Sequence, residues 1–120
     1  MPRPAVAVAG AIRPAALLGG QAAPAPAAQP APPPVTPVFK DVRGGVGIFT
    51  ARGGTIGYYS SADAFVVVDT QFPDTAQMFW DGVKRSRPRI DALINTHHHG
   101  DHTAGNKVLG PHAFQIVAHT

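Results

Sequence analysis

Four of the six histidines in this 120-residue chain fall between positions 97 and 102, together with one of its seven carboxylates, Asp101. The run is Thr96-His97-His98-His99-Gly100-Asp101-His102, with the ligand-type side chains spaced His-x-His-x-Asp-His. Imidazole nitrogens and carboxylate oxygens are the donors that zinc and its first-row neighbours take up. Core packing and loop solvation give no reason for four such groups within six residues. A chain still extended as it leaves a strand points residues two apart to the same side. His97 and His99 are therefore expected to converge on one ion while His98 points elsewhere. Gly100 permits the sharp turn that brings Asp101 and His102 round at the start of a helix.

The elements that must position these groups are read from the chain around them. Gly45–Thr50 and Thr55–Ser60 are β-rich runs separated by Gly53-Gly54, a hairpin signal. Ala64–Val68 is a continuous apolar run, the mark of a strand buried on both faces. Asp74 or Thr75 is expected to cap a helix carrying Ala76, Phe79, Trp80 and Val83 on one side, stopped before Pro88. A second buried strand is expected over Ile90–Ile94, a short helix over Thr103–Leu109 and a last strand over Phe114–Ala118. His112 reads as an exposed loop residue, and His119 as a group at the end of the last strand. Strands followed by a β-α-β-α-β order give an α/β (α+β) sheet with helices on one face.

The segment T-H-H-H-G-D-H-T-A-G-N, preceded by Asp91-Ala92-Leu93-Ile94, resembles the metal-binding motif of the metallo-β-lactamase superfamily. Ala64-Phe65-Val66-Val67-Val68-Asp69-Thr70 is similar to the strand that ends in Asp-Thr in that family, with Asp69 at its usual aspartate. The resemblance runs over about residues 39–120, with Ala104 where the family often has glycine. It implies the N-terminal half of an αββα sandwich and a metal-dependent hydrolase acting on an ester, thioester, lactone, amide or phosphoester. His97, His99, Asp101 and His102 would be metal ligands, the first two on one ion and the last two on a second. The cofactor would be Zn2+, one or two ions, with other divalent metals or iron as alternatives. Asp101 would also orient the attacking hydroxide and help move a proton, and Asp69 would orient a ligand histidine. A di-iron oxidoreductase of the same fold is a further alternative, although such members usually carry an extra carboxylate where this chain has Gly100.

Composition narrows the rest. There is no cysteine, which excludes a disulfide framework, a thiolate metal site and a cysteine nucleophile within this sequence. The net charge of +3 divides into +2 from Arg3 and Arg13, with no acid before residue 40, and +1 from the remainder. The folding part thus has no broad basic face, and Lys84-Arg85-Ser86-Arg87-Pro88-Arg89 reads as a solvated helix end rather than a nucleic-acid footprint. The partner expected is a small-molecule substrate. Residues 1–38 hold ten of the thirteen prolines and read as a disordered Ala/Pro-rich tail and linker ahead of a partial domain at 39–120. Arg3 followed by Ala5–Ile12, with small residues at Gly19–Ala23, resembles a signal peptide and points to a periplasmic or extracellular location; otherwise the protein is cytoplasmic. No apolar run reaches the ~18 residues of a transmembrane helix. The resemblance also implies ligands from a second half of the fold. Three readings follow: a fragment of a longer product, a truncated non-catalytic metal-binding remnant, or a chain completed by a second one.

Overall fold

The computed structural model describes Gly10, Gly19, Gly20 and residues 23–120. The signal-like stretch at Ala5–Ile12, apart from Gly10, lies outside the described residues. Residues 23–37 form no helix or strand, in keeping with their proline content. Pro33–Thr120 is a compact unit in itself. Its elements are β1 (Val38–Arg43), β2 (Val46–Thr50), β3 (Thr55–Ser60), β4 (Phe65–Val68), α1 (Pro73–Val83), β5 (Ala92–Ile94), α2 (Gly100–Thr103), α3 (Asn106–Leu109), a 3-10 turn at Gly110–His112 and β6 (Ile116–Val117).

The six strands form one sheet in chain order. β1 to β4 pair antiparallel, as short hairpin turns require, and β4, β5 and β6 pair parallel across the helical crossovers. Both glycine pairs turn the chain: Gly44, Gly45 and Gly53 have positive φ, at 58°, 83° and 81°. The mixed sheet with its few helices is the α/β arrangement expected from the element order.

Register assigns the faces. Phe39 pairs with Phe49, Phe49 with Ile56, and Tyr58 with Val67, which pairs in turn with Leu93, so these residues share one face. Phe49, Ile56, Val67 and Leu93 are fully buried there. α1 supplies Ala76, Phe79, Trp80 and Val83 to the same core. The Phe79 ring sits amid those of Phe49, Tyr58, Phe39 and Phe65, with centroids 5.5, 5.8, 6.0 and 6.4 Å away. Val46, Ile48, Tyr59, Val66, Val68 and Ile94 point to the other face and are half-buried or exposed.

Several boundaries differ from the sequence reading, each for a local reason. β1 has an exposed residue at every position, so no buried run announces it. Its Phe39 nonetheless packs on α1 at Gly82, where a β-carbon would lie 2.5 Å from the ring. Helix α1 starts one residue before Asp74, because the fixed φ of Pro73 suits the first helical position. Phe72 occupies the N-cap and has no side-chain acceptor to offer. Thr75 instead folds back, its hydroxyl accepting the Phe72 N–H at 3.3 Å. Asp74 pairs outward with Arg52 at 2.7 Å. The strand expected from Ile90 shortens to three residues, with Ile90 making an isolated bridge to Ala113. The helix expected over Thr103–Leu109 divides into α2 and α3. His112 is half-buried rather than an exposed loop residue, its ring stacked on Trp80 at 4.1 Å.

The central position of Phe79 gives a direct test. Phe79→Ala empties the middle of the aromatic cluster and is expected to cost about 3–5 kcal/mol of unfolding free energy. Urea denaturation followed by circular dichroism measures it, and a loss under about 1 kcal/mol contradicts this packing.

Candidate metal centre

β4 delivers Asp69 and β5 delivers Asn95 and Thr96 at the same end of adjacent parallel strands. The Asp69 N–H continues the ladder to the Ile94 carbonyl at 2.8 Å. The chain then turns abruptly: Asp69 and Gln71 are the two non-glycine residues with positive φ among those described, at 63° and 53°. Such backbone costs on the order of 1–3 kcal/mol per residue and persists only where its surroundings hold it. Here hydrogen bonds do so. The Thr70 N–H donates to the His102 carbonyl at 3.0 Å, and the Gly105 N–H to the Gln71 carbonyl at 2.8 Å. Gly105 is required at this contact, since a β-carbon there would lie 2.2 Å from the Thr70 oxygen.

The Asp69 carboxylate is 5 % exposed and fully engaged. Oδ1 accepts the Thr96 N–H at 2.8 Å; Oδ2 accepts the Thr96 hydroxyl at 2.7 Å and the His102 Nδ1–H at 2.8 Å. Burial by itself would raise its pKa. The hydrogen bonds from Thr96 and His102, with the attraction of His102, outweigh burial and hold the group below the usual aspartate value. An ionised carboxylate only accepts, so the His102 Nδ1 carries a proton in either charge state, and the neutral ring keeps its lone pair on Nε2. The single Thr96 hydroxyl proton is committed to Asp69. His97 Nδ1, 3.0 Å from that hydroxyl, must then be the donor, and its Nε2 is free as well. One buried carboxylate thus sets the tautomer of two histidines, directly and through Thr96.

The ligand-type atoms of His97, Asp101 and His102 all lie within 4.8 Å of one another. Asp101 Oδ2 is 3.2 Å from His102 Nε2. Two imidazoles and a carboxylate at this separation suit zinc or a similar divalent ion. His99 is not in this group. The extended path expected through His97 and His99 is replaced by bends at Thr96–His98, which break the two-residue alternation, and His99 becomes the N-cap of α2. Its ring stands 4.8 Å from that of His97, while the His97 and His102 rings are 4.0 Å apart. His98 stacks edge-on to His99. A cavity of about 600 Å³ opens beside His97, lined also by Asn95, Thr96, His98, Thr103 and His119.

The β2–β3 hairpin forms the other wall. A β-carbon on Gly54 would lie 3.0 Å from the Asp101 carbonyl oxygen and 3.3 Å from His102 Cε1. Buried Gln71 secures the hairpin by donating to the carbonyl of Gly54. The sequence marked Gly53-Gly54 as a turn only, and nothing local to Gln71 signals its part.

Residues 49–119 match the model of the metallo-beta-lactamase superfamily. The chain belongs to this superfamily. Solved structures agree on the fold. DIM-1 metallo-beta-lactamase superposes with a TM-score of 0.62 at 18% identity, over 72% of this chain and 44% of that one. SMB-1, bound to 2-mercaptoethanesulfonate, gives 0.57 at 17% identity, over 65% of this chain and 32% of that one. MIM-1 from Novosphingobium pentaromativorans gives 0.54 at 21% identity, over 65% and 30%. The chain therefore spans between 30% and 44% of the length of these three metallo-beta-lactamases. No curated protein matches it.

The superfamily scaffold can be probed here without any metal. Asp69→Asn keeps the shape but sets an amide N–H₂ against at least one donor, and is expected to cost about 1–3 kcal/mol in the metal-free protein. Urea denaturation in the presence of chelator measures this; unchanged stability contradicts the threefold acceptor role of Asp69.

Proposed function

We propose that this chain carries the metal-binding half of a zinc-dependent hydrolase whose substrate is a small ester, thioester, lactone, amide or phosphoester. The observation that carries the proposal is the convergence of His97, Asp101 and His102 with Asp69 behind them. When bound, a zinc ion acts as a Lewis acid and lowers the pKa of a coordinated water to about 7, which supplies hydroxide at neutral pH. His102 and His97 would hold it through the Nε2 atoms that Asp69 and Thr96 leave free. Asp101 would serve as a further ligand and as the group that orients the attacking oxygen and takes its proton. His99 would join His97 on one ion, with Asp101 and His102 on a second where two are bound. Residues supplied from outside this sequence, by a longer chain or a second one, would complete the site and cover the open face of the sheet. Residues 1–38 serve in this reading as leader and linker for the domain at 39–120, exporting it to the periplasm or beyond.

A non-catalytic metal-binding module is the second reading, since His97, Asp101 and His102 need nothing further than an ion to act as ligands. Elemental analysis of the purified protein, paired with hydrolysis assays, separates the two. One or two zinc ions per chain is the expected result, with turnover of generic esters or phosphodiesters where the completing residues are present. His97→Ala, Asp101→Ala and His102→Ala are expected to lose the metal, and Asp69→Asn to weaken its binding roughly 10–100-fold. Retained zinc without hydrolysis even where the completing residues are present supports the binding module, retained iron a di-iron oxidoreductase, and no retained metal in the wild-type protein sinks the metal-centre proposal. For export, N-terminal sequencing of protein recovered outside the cytoplasm is expected to start near Gly19–Ala23; an intact Met1 there rules the leader out.

A further inference from the structure

Asn95, at the end of β5, and Asn106, at the start of α3, face each other across the base of the segment that bears every candidate ligand. Their amides exchange two hydrogen bonds: Asn106 Nδ2 donates to Asn95 Oδ1 at 2.7 Å, and Asn95 Nδ2 donates to Asn106 Oδ1 at 3.1 Å. The remaining Asn95 Nδ2 proton reaches the His102 carbonyl at 3.3 Å. Thr70, fully buried, lies on the same two acceptors, its hydroxyl 3.0 Å from Asn106 Oδ1 and 3.1 Å from the His102 oxygen. Its N–H also donates to that oxygen.

We infer that Asn95, Asn106 and Thr70 form a clamp of positioning residues that fixes His102 and the segment 96–105 in a ligating geometry, an inference that rests on the metal-centre proposal above. Both jaws are anchored. The Asn95 N–H is tied to Val117 of β6 at 2.9 Å, and α3 is pinned in the core by fully buried Leu109. Asp69 fixes the His102 ring from one side, whereas the clamp fixes its backbone. Without the clamp the ring could keep its partner while the segment drifted. Positional error of this kind at a ligand is felt in metal affinity.

The isosteric substitution Asn106→Asp isolates this role. It turns the donor that faces Asn95 Oδ1 into an acceptor, and turning the Asn95 amide over only sets its oxygen against the other carboxylate oxygen and the His102 carbonyl. Co2+ titration of the full 120-residue chain, read by visible d–d absorption, is expected to show a dissociation constant about 10–100-fold higher than wild type. The band positions or intensities at saturation should change as well. A wild-type constant and spectrum overturns the clamp, whatever the melting temperature does. Should Asn106→Asp not fold, Thr70→Val removes only the hydroxyl and takes the same measurement, with a smaller expected change and the same overturning result. If the wild-type chain itself binds no Co2+, the metal-centre proposal fails and the clamp is judged separately by amide hydrogen exchange. The Thr70 N–H is then expected to exchange about fivefold or more faster in the variant, the equivalent of one lost hydrogen bond, with Leu93 unchanged. Equal exchange at Thr70 overturns the clamp.

Discussion

A buried carboxylate stays ionised only where hydrogen bonds replace the water it has lost, and the way Asp69 meets that constraint organises the rest of the site. Its partners come from β5 and from the start of α2, so the charge can be accommodated only when both stand beside β4. The requirement couples sheet order to site geometry: parallel pairing of β4 with β5 puts Asp69 and Thr96 at the same strand ends. A misregistered β5 would leave the carboxylate without donors. Strained backbone at Asp69 and Gln71 is the local cost of turning the chain there. That cost is sustained because Thr70, between them, is held by the His102 carbonyl.

The same arrangement separates the duties of scaffold and ligand. The β4–α1 loop offers its polar groups inward, to Thr96, His102 and Gly105. The segment after β5 offers its imidazoles outward, where His97 and His99 are exposed and His102 is half-buried. A ligand needs its lone pair accessible, and an orienting group needs shelter from water to hold one geometry. Burial therefore falls outward along both hydrogen-bond branches from Asp69, to half-buried His102 directly and to exposed His97 through Thr96. Hydrophobic packing supports this only indirectly. The cluster around Phe79 fixes α1 against the sheet, and α1 carries the β4–α1 loop at its N-terminus.

What could be read in the sequence follows from where each signal sits. β4 and the buried part of β5 were legible because they are short, continuous apolar runs, and the Gly53-Gly54 hairpin because a turn with positive φ has few alternatives. The histidine and aspartate spacing was legible because the chemistry is local. β1 escaped because an exposed edge strand needs no apolar alternation. The start of α1 was misplaced because Pro73 and Phe72 replaced a side-chain cap with a fold-back from Thr75. The paths of His97 and His99 were misjudged because strand periodicity was extended past Ile94 into residues that bend. Thr70 with Asn106, and Gln71 with Gly54, join positions 36 and 17 residues apart, and no local pattern encodes such pairs.

The position of His99 bears on how such a centre is assembled. His97 and His102 receive fixed tautomers from the Asp69 chain, and Asp101 lies against His102 through their succession on α2. His99 has no orienting partner for its ring among the described hydrogen bonds, and its backbone serves α2 instead, accepting the N–H groups of His102 and Thr103 at 3.0 and 3.1 Å. An imidazole without such a partner retains rotamer freedom that has to be lost on binding an ion. Preorganisation is thus concentrated where the buried carboxylate can reach, at His102 directly and at His97 through Thr96, and is absent from the His99 ring.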